Sequence, residues 1–400
     1  MCSHSRALAI SCAVLVTMSM AAPLAAQTTP AAPPPAVTRT VDLTSPDGIA
    51  LKASYFPAAR PGPGLLLLHA CNRDRSSWNG LATAAAARGF HVLALDFRGY
   101  GQSGGTKSDD PRQQQWIAER EWPADIDAAY GWLTSQAGVD KTRIGAAGAS
   151  CGVDQAVQLA RRHAEVRTVV LLSGGLTANG REFIRDSAWL PIFGAASHGD
   201  GGAVEAMRWG MGWSRNTANE FAVYQAAGHG AEMFAKEKDL QPKVLAWFER
   251  YVRDAPATRP AVTTAAGPTV VEQFWTTLNQ PGGVTRARQL YDEAKARDKD
   301  VVLFPESETN LLGYQLMQNG DPKDAVTVLQ MNLEAYPRSS NAADSLSDAW
   351  LAAGDKEQAL TYARKAIAML DEDPNATPQF RQLVRESAEG KIKQLQGERK

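Results

Sequence analysis

Residues 148–152, with the sequence Gly-Ala-Ser-Cys-Gly, have the pattern of a nucleophile elbow. They follow a short apolar run and precede apolar residues at helical spacing. A strand, a sharp turn and a helix in this order expose the hydroxyl of the central serine, and small residues at both ends of the turn let strand and helix approach closely. The bare Gly-x-Ser-x-Gly pattern is weak in a Gly-rich chain, so its context carries the prediction. We predict that Ser150 is the nucleophile of an acyl-transfer reaction.

A serine nucleophile needs a histidine base and a carboxylate that fixes the tautomer of that histidine. Of the six histidines, His229 alone follows the last strand-like run in a Gly-flanked loop. Asp200 follows the apolar run at residues 190–196, which places it at the carboxyl end of a strand. Taken singly, Asp200 would be a turn residue and His229 a surface histidine. The order Ser150, Asp200, His229 together with the elbow predicts a catalytic triad.

Strand-like and helix-like patterns alternate around these residues, so they indicate an α/β domain. Helical patterns cover residues 81–88 and 125–133. Continuous apolar runs are typical of strands buried on both faces of a sheet, and they occur at residues 64–69, 91–96, 143–147, 166–172 and 190–196. The pattern predicts a doubly wound, mostly parallel sheet with functional loops at the carboxyl ends of its strands.

Several motifs in residues 39–253 resemble the α/β-hydrolase fold, and their spacing is most similar to the dienelactone hydrolase-like branch. They are His69-Ala70-Cys71, residues 96–103 (Asp-Phe-Arg-Gly-Tyr-Gly-Gln-Ser), the elbow, and Gly228-His229-Gly230. That branch often has Cys as its nucleophile, whereas the central residue of the elbow is Ser150 here and a cysteine, Cys151, follows it. We interpret Asp96 and Arg98 as an ion pair that holds a tight loop. We expect no cofactor and no metal.

Two cysteines occupy matched positions beside the predicted nucleophile. In this fold the oxyanion hole is built from the backbone N–H of the residue after the nucleophile, here Cys151, and from an N–H of the loop after the strand that ends at His69, here Cys71. Both N–H groups must converge on one oxygen, so their Cα atoms should lie within the roughly 4.4–6.8 Å that a disulfide tolerates. We expect a Cys71–Cys151 disulfide that joins the two walls of the oxyanion hole; the alternative is two separate buried thiols.

The first 26 residues have the pattern of an export signal. Arg6 precedes an apolar run at residues 7–20, and small residues at 25–26 form a cleavage site. The run is short for a membrane span, so an uncleaved anchor is the lesser alternative. We predict a periplasmic or secreted protein with no membrane span after signal cleavage. The chain has 42 Lys and Arg against 43 Asp and Glu, so we expect no nucleic-acid partner.

The last part of the chain is helical in pattern and repeats every 34 residues. Gly320-Asp321 recurs as Gly354-Asp355, and Ala325 recurs as Ala359. These positions resemble tetratricopeptide repeats, in which small residues let antiparallel helices pack closely. Such a module binds a protein partner, self-associates or packs on its own neighbouring domain. The predicted organisation is a Pro/Ala-rich linker at 27–37, the α/β domain at 38–254, a second linker at 255–269 and the helical-repeat domain at 270–400.

Two classes of function fit these features. The first is a serine hydrolase that cleaves a small-molecule ester, lactone or related acyl bond through an acyl-enzyme, with a peptidase as the alternative because the same triad serves both reactions. The second is a non-catalytic binding protein that works through its helical repeats. The intact order of Ser150, Asp200 and His229 favours the hydrolase.

Overall fold

The computed structural model describes residues 37–256, 267–374 and 376–397. The predicted export signal lies outside these residues, and the two predicted linkers lie mostly outside them. Strands of the α/β domain are β1 (Arg39–Thr44), β2 (Ala50–Phe56), β3 (Gly62–Leu68), β4 (His91–Leu95), β5 (Val139–Ala149), β6 (Val166–Leu172), β7 (Ile192–Ser197) and β8 (Glu220–Tyr224). Its helices are α1 (Asn79–Ala87), α2 (Pro111–Arg120), α3 (Trp122–Ser135), α4 (Gly152–Arg162), α5 (Ala178–Asp186), α6 (Ala203–Met211), α7 (Met233–Lys236) and α8 (Leu240–Phe248).

The strands form a single sheet in the order β1-β2-β4-β3-β5-β6-β7-β8. β2 pairs antiparallel with β1 and β4, and the pairs from β4 through β8 are parallel. Leu68 of β3 lies beside Gly148 of β5, and Gly148 lies beside Leu171 of β6. The predicted doubly wound, mostly parallel sheet is therefore confirmed, and its central strands end at one edge.

Helices cover both faces of the sheet because successive side chains of a strand point in opposite directions. In β3, Leu66 and Leu68 join a core that includes residues of α3, α4 and α6. Leu65 and Leu67 join the opposite core, with residues of α1 and α8. All four leucines are fully buried. The continuous apolar runs of the sequence thus correspond to strands that are covered on both sides.

The rest of the described chain is helical. Its helices are α9 (Val270–Leu278), α10 (Val284–Arg297), α11 (Glu306–Gln318), α12 (Pro322–Ala335), α13 (Ser340–Ala352), α14 (Lys356–Met369) and α15 (Pro378–Gly397). None of the helices in the described ranges combines the length and apolar character needed to cross a membrane.

The 34-residue repeat corresponds to two equivalent turns. Gly320 ends α11 with φ of 87°, and Gly354 ends α13 with φ of 85°. Each glycine donates its N–H to a carbonyl three residues earlier, that of Met317 at 3.2 Å or Leu351 at 3.0 Å. Glycine is suited to both positions because a side chain is strained at positive φ. The assignment to tetratricopeptide repeats stays a prediction.

The helical region packs on the α/β domain of the same chain. Trp209 of α6 lies in one apolar core with Val271 and Phe274 of α9. At the edge of this contact the Arg215 guanidinium lies 2.7 Å from the Glu272 carboxylate. Of the roles considered for the helical region, packing on its own neighbouring domain is therefore present in the structure.

Replacing Phe274 should test this shared core. Phe274 is 0% exposed, so Phe274→Ala should lower the free energy of unfolding by about 3–5 kcal/mol. The control is Val270→Ala on the same helix; Val270 is 36% exposed, so the expected change is about 0.5 kcal/mol or less. Urea unfolding followed by circular dichroism measures both. Equal unfolding midpoints for the two variants would contradict the packing.

Candidate active site

Ser150 occupies a strained turn between β5 and α4. Its φ is 53°, a value that non-glycine residues seldom adopt, and its N–H donates to the Leu172 carbonyl at 2.9 Å. A Cβ on Gly148 would lie 1.9 Å from the Gly152 carbonyl oxygen, and a Cβ on Gly152 would lie 2.5 Å from that of Leu68. Larger residues at either position would push α4 away from the sheet. The local geometry is that of the predicted elbow.

Asp200 and His229 follow β7 and β8, at the same edge of the sheet as Ser150. The Nδ1 atom of His229 lies 2.8 Å from each carboxylate oxygen of Asp200. An ionised carboxylate only accepts hydrogen bonds, so this contact assigns the proton to Nδ1 and leaves Nε2 with a lone pair. A Cβ on Gly230 would lie 3.1 Å from the Cβ of Ala149, which precedes Ser150. The His229 loop therefore packs against the elbow.

A disulfide joins Cys71 and Cys151, as expected from their positions. Their Cα atoms are 5.8 Å apart, and the two residues are 80 positions apart in the sequence. Cys151 directly follows Ser150, and Cys71 lies in the loop after β3. The covalent bond consequently connects the turn that carries Ser150 to the neighbouring loop.

His69, at the start of that loop, has a structural role. The side chain is fully buried, its Nδ1 donates to the Ala70 carbonyl at 2.8 Å, and its Nε2 accepts the Phe97 N–H at 3.1 Å. Burial lowers the pKa of His69 below its ordinary value. A neutral imidazole that uses both nitrogens in this way has no free lone pair, so His69 cannot serve as the base.

The interpretation of Asp96 and Arg98 as partners of each other is wrong. Asp96 is fully buried and pairs with Arg75, whose backbone N–H also donates to it at 2.7 Å. Arg98 instead lies 2.6 Å from the carboxylate of Asp125 on α3, and it also pairs with Asp47. Asp96 thus anchors the segment after Cys71 through Arg75, whereas Arg98 connects the loop after β4 to α3.

A further ion pair connects the loop after β3, which carries Cys71, to the segment that follows His229. The Arg73 guanidinium pairs with the Glu232 carboxylate, which lies three residues after His229. Neither residue stood out in the sequence, because only the fold brings the two loops together.

Ser150 lies in a groove with a volume of about 1280 Å³. The disulfide forms part of the wall, together with residues of α2, α4 and the segment before α5. Arg181 of α5 and Glu308 of α11 also line the groove, so the helical region contributes to its wall. Neither residue belongs to a motif that could be recognised from the sequence. A smaller cavity of about 700 Å³ shares Cys71 with the groove.

Asp154, four residues after Ser150, connects α4 to the segment before α5. One of its carboxylate oxygens accepts the backbone N–H and the hydroxyl of Thr177, each at 2.9 Å. Burial raises the pKa of this carboxyl, although the hydrogen bonds from Thr177 act in the opposite direction. Across the described ranges, no group of three or more His, Cys, Asp or Glu residues is placed to hold a metal ion.

Comparison with known proteins agrees with this architecture. Residues 63–194 match the family model described as the alpha/beta hydrolase fold. The uncharacterized Mycobacterium tuberculosis protein Rv2307c is 38% identical to this chain over 124 residues, which cover 30% of this chain and 41% of Rv2307c. The uncharacterized protein Rv2715 of the same species is 31% identical over 124 residues, which cover 30% of this chain and 32% of Rv2715. The chain thus spans less than half the length of these curated relatives. The family match over residues 63–194 and the strand order of the sheet agree on the α/β-hydrolase fold.

The solved structures that are similar to part of this chain include an esterase and a dienelactone hydrolase, both at low sequence identity. The esterase Pf2001 of Pyrococcus furiosus is 18% identical, with a TM-score of 0.44 over 54% of this chain and 93% of the esterase. A dienelactone hydrolase from Anabaena variabilis is 16% identical, with a TM-score of 0.43 over 54% of this chain and 99% of that protein.

Removing the disulfide should destabilise the α/β domain. The bond closes a loop of 80 residues, so the double variant Cys71→Ala/Cys151→Ala should lose up to about 4–5 kcal/mol of unfolding free energy. Urea unfolding without reductant measures the loss, and intact mass should show two hydrogen atoms fewer in the native than in the reduced protein. Alkylation of both thiols in native, unreduced protein would contradict the bond.

Proposed function

We propose that this α/β-hydrolase-fold protein is an exported serine hydrolase that cleaves an ester, lactone or related acyl bond. The carrying observation is the contact between His229 and Asp200 at the edge of the sheet where Ser150 occupies the elbow. This arrangement supplies a nucleophile, a base and a carboxylate in the chain order known for this fold. The family match over residues 63–194 supports the same class of reaction.

In the proposed mechanism His229 accepts the Ser150 proton at Nε2 while Ser150 Oγ attacks the substrate carbonyl. Asp200 holds the proton on Nδ1 and stabilises the imidazolium that forms. His229 then donates its proton to the leaving oxygen, and an acyl-enzyme on Ser150 remains. His229 then takes a proton from a water molecule whose oxygen attacks the acyl carbon, and it returns that proton to Ser150 Oγ as the bond between Oγ and the acyl group breaks and the acid leaves. The triad is back in its starting protonation state after each of the two half-reactions.

The backbone N–H groups of Cys71 and Cys151 are the proposed oxyanion hole. Within the described residues neither N–H has a hydrogen-bond acceptor in the protein, so both are available to a developing oxyanion. Preorganised donors of this kind are usually the largest single contribution to acyl transfer, at about 3–4 kcal/mol for one donor. The disulfide holds the two segments that carry them at a Cα separation of 5.8 Å.

The proposed site of action is the periplasm or the outside of the cell. Disulfides form and persist in oxidising compartments and are rare in the cytosol, so the Cys71–Cys151 bond supports export. The substrate proposed for the groove is a small molecule, because a concave groove of about 1280 Å³ is of the order of size of small-molecule sites.

Substitutions in two His–Asp pairs should show whether the proposed triad, and not any pair of this kind, is required for activity. His163 and Asp127 also form a 2.8 Å contact, but on the surface between α4 and α3. His229→Ala and Asp200→Asn should lower kcat for p-nitrophenyl butyrate by about 10³–10⁴-fold. The matched controls His163→Ala and Asp127→Asn should stay within about twofold, as expected for a surface ion pair. Steady-state kinetics at pH 8 measures all four variants.

Equal losses in the two pairs would count against the assignment, because they would point to a general effect on folding. A parallel assay with peptidyl p-nitroanilides distinguishes ester from peptide hydrolysis. Faster turnover of the anilides would replace the ester hydrolase by the peptidase. Wild-type protein that cleaves neither substrate class would favour the binding protein.

A further inference from the structure

Arg181 lies in the Ser150 groove and is held on two sides. Its Nη1 donates to the Leu176 carbonyl at 2.7 Å, and its guanidinium carbon lies 4.1 Å from the ring centre of Trp209. A stacked guanidinium has few conformations, so little entropy is lost when it binds a ligand. Arg181 is thus a rigid donor rather than a mobile surface side chain.

The segment that holds Arg181 is in direct contact with the nucleophile. Leu176 ends a short loop that begins at Gly174, and a Cβ on Gly174 would lie 2.4 Å from the Ser150 carbonyl oxygen. Thr177, one residue further, is bound by Asp154 of α4. Arg181 therefore has a fixed position relative to Ser150, through the loop and through the contact between α4 and α5.

The charge of Arg181 is not neutralised by a protein carboxylate. Asp154 and Glu308 are close enough to favour its charged form, yet neither forms an ion pair with it in the described chain. One carboxylate oxygen of Asp154 accepts hydrogen bonds from Thr177 and the other accepts one from Gln158, and the Glu308 side chain is exposed. Partial burial lowers the pKa of Arg181, but a guanidinium stays charged at neutral pH. A half-buried, unpaired cation in a groove is suited to an anionic ligand.

We propose that Arg181 is a specificity-determining residue that binds an anionic group of the substrate in the Ser150 groove. This inference rests on the proposed hydrolase function and narrows its substrate class to acyl compounds with a negative charge. Guanidinium donors match the two oxygens of a carboxylate, so a carboxylate is the anion tested first.

The helical region takes part in this selection through two contacts. Trp209, which stacks on Arg181, lies in the apolar core that α6 shares with α9, and its ring centre is 6.0 Å from that of Trp275. Glu308 of α11 places a carboxylate on the same groove, where it opposes the binding of a second negative charge. The helical region therefore fixes the position of Arg181 and limits how much negative charge the groove accepts.

Matched esters with and without a carboxylate test the proposal. p-Nitrophenyl hemisuccinate and p-nitrophenyl butyrate differ at the end of the acyl chain, whereas 4-carboxyphenyl butyrate and phenyl butyrate differ on the alcohol side. Arg181→Gln should lower kcat/KM for at least one carboxylated ester by roughly 10- to 100-fold, since a hydrogen bond to a charged group is lost. The neutral ester of the same pair should change by less than about twofold. The two pairs show which side of the scissile bond carries the anion.

Three further variants make the result specific. Arg181→Lys keeps the charge without the planar donors and should lie between wild type and Arg181→Gln. Arg185→Gln, on the same helix as Arg181 but outside the residues that line the groove, should leave the ratio of carboxylated to neutral ester unchanged. Glu308→Gln should raise kcat/KM for the carboxylated ester a few-fold, because a repulsive charge is removed.

The failure of this inference and that of the proposed function are distinguishable. Neutral esters that are hydrolysed normally, with carboxylated and neutral esters equally affected by Arg181→Gln, would overturn the role of Arg181 and leave the hydrolase intact. Absence of hydrolysis of every ester by wild-type protein would overturn both.

Discussion

The close approach of α4 to the ends of β3 and β5 is the constraint on which the site depends. Gly148 and Gly152 permit it, since a Cβ at either position would overlap backbone oxygen atoms. The approach has three consequences: Ser150 adopts a positive φ, the α4 residue Asp154 reaches Thr177, and Cys151 comes within bonding distance of Cys71. The conformation of Ser150, the wall of the groove and the disulfide therefore follow from one backbone contact.

The two parts of the chain are coupled by packing next to this contact. Trp209 belongs to α6 of the α/β domain but lies in the same core as Phe274 of the helical region. Because Trp209 also stacks on Arg181, the helical region is connected to the groove by side chains and not only by the linker. The helical region therefore forms part of the groove wall, through Glu308, as well as packing on the α/β domain.

The sequence predicted those candidate site residues that lie in short motifs or directly after a strand. The elbow was recognisable because its glycines and serine are adjacent, and Asp200 and His229 because each follows an apolar strand. The disulfide was predicted because two backbone N–H groups that bind the same oxyanion must lie close together, which brings the Cα atoms of their residues within the range of a disulfide. Residues that meet through tertiary packing were not recognisable: Arg181 and Glu308 lie on helices far apart in the chain.

Asp96 and Arg98 were assigned wrongly for the same reason. They are two residues apart, but the buried carboxylate of Asp96 is paired with Arg75, while Arg98 reaches α3. Proximity in sequence was a poor guide because the partners come from other elements. The 34-residue repeat, in contrast, was visible in the sequence, since each unit depends on a local turn at Gly320 or Gly354.

Covalent labelling of the nucleophile tests the central claim most directly. Native protein treated with a fluorophosphonate, then reduced, alkylated and digested with trypsin, should carry one phosphonyl group on the peptide of residues 144–161, located by fragmentation at Ser150. Ser150→Ala should abolish the label, and Asp200→Asn should slow its formation, because the base is no longer oriented. Label at another residue, or esterase activity that persists in Ser150→Ala, would contradict the account.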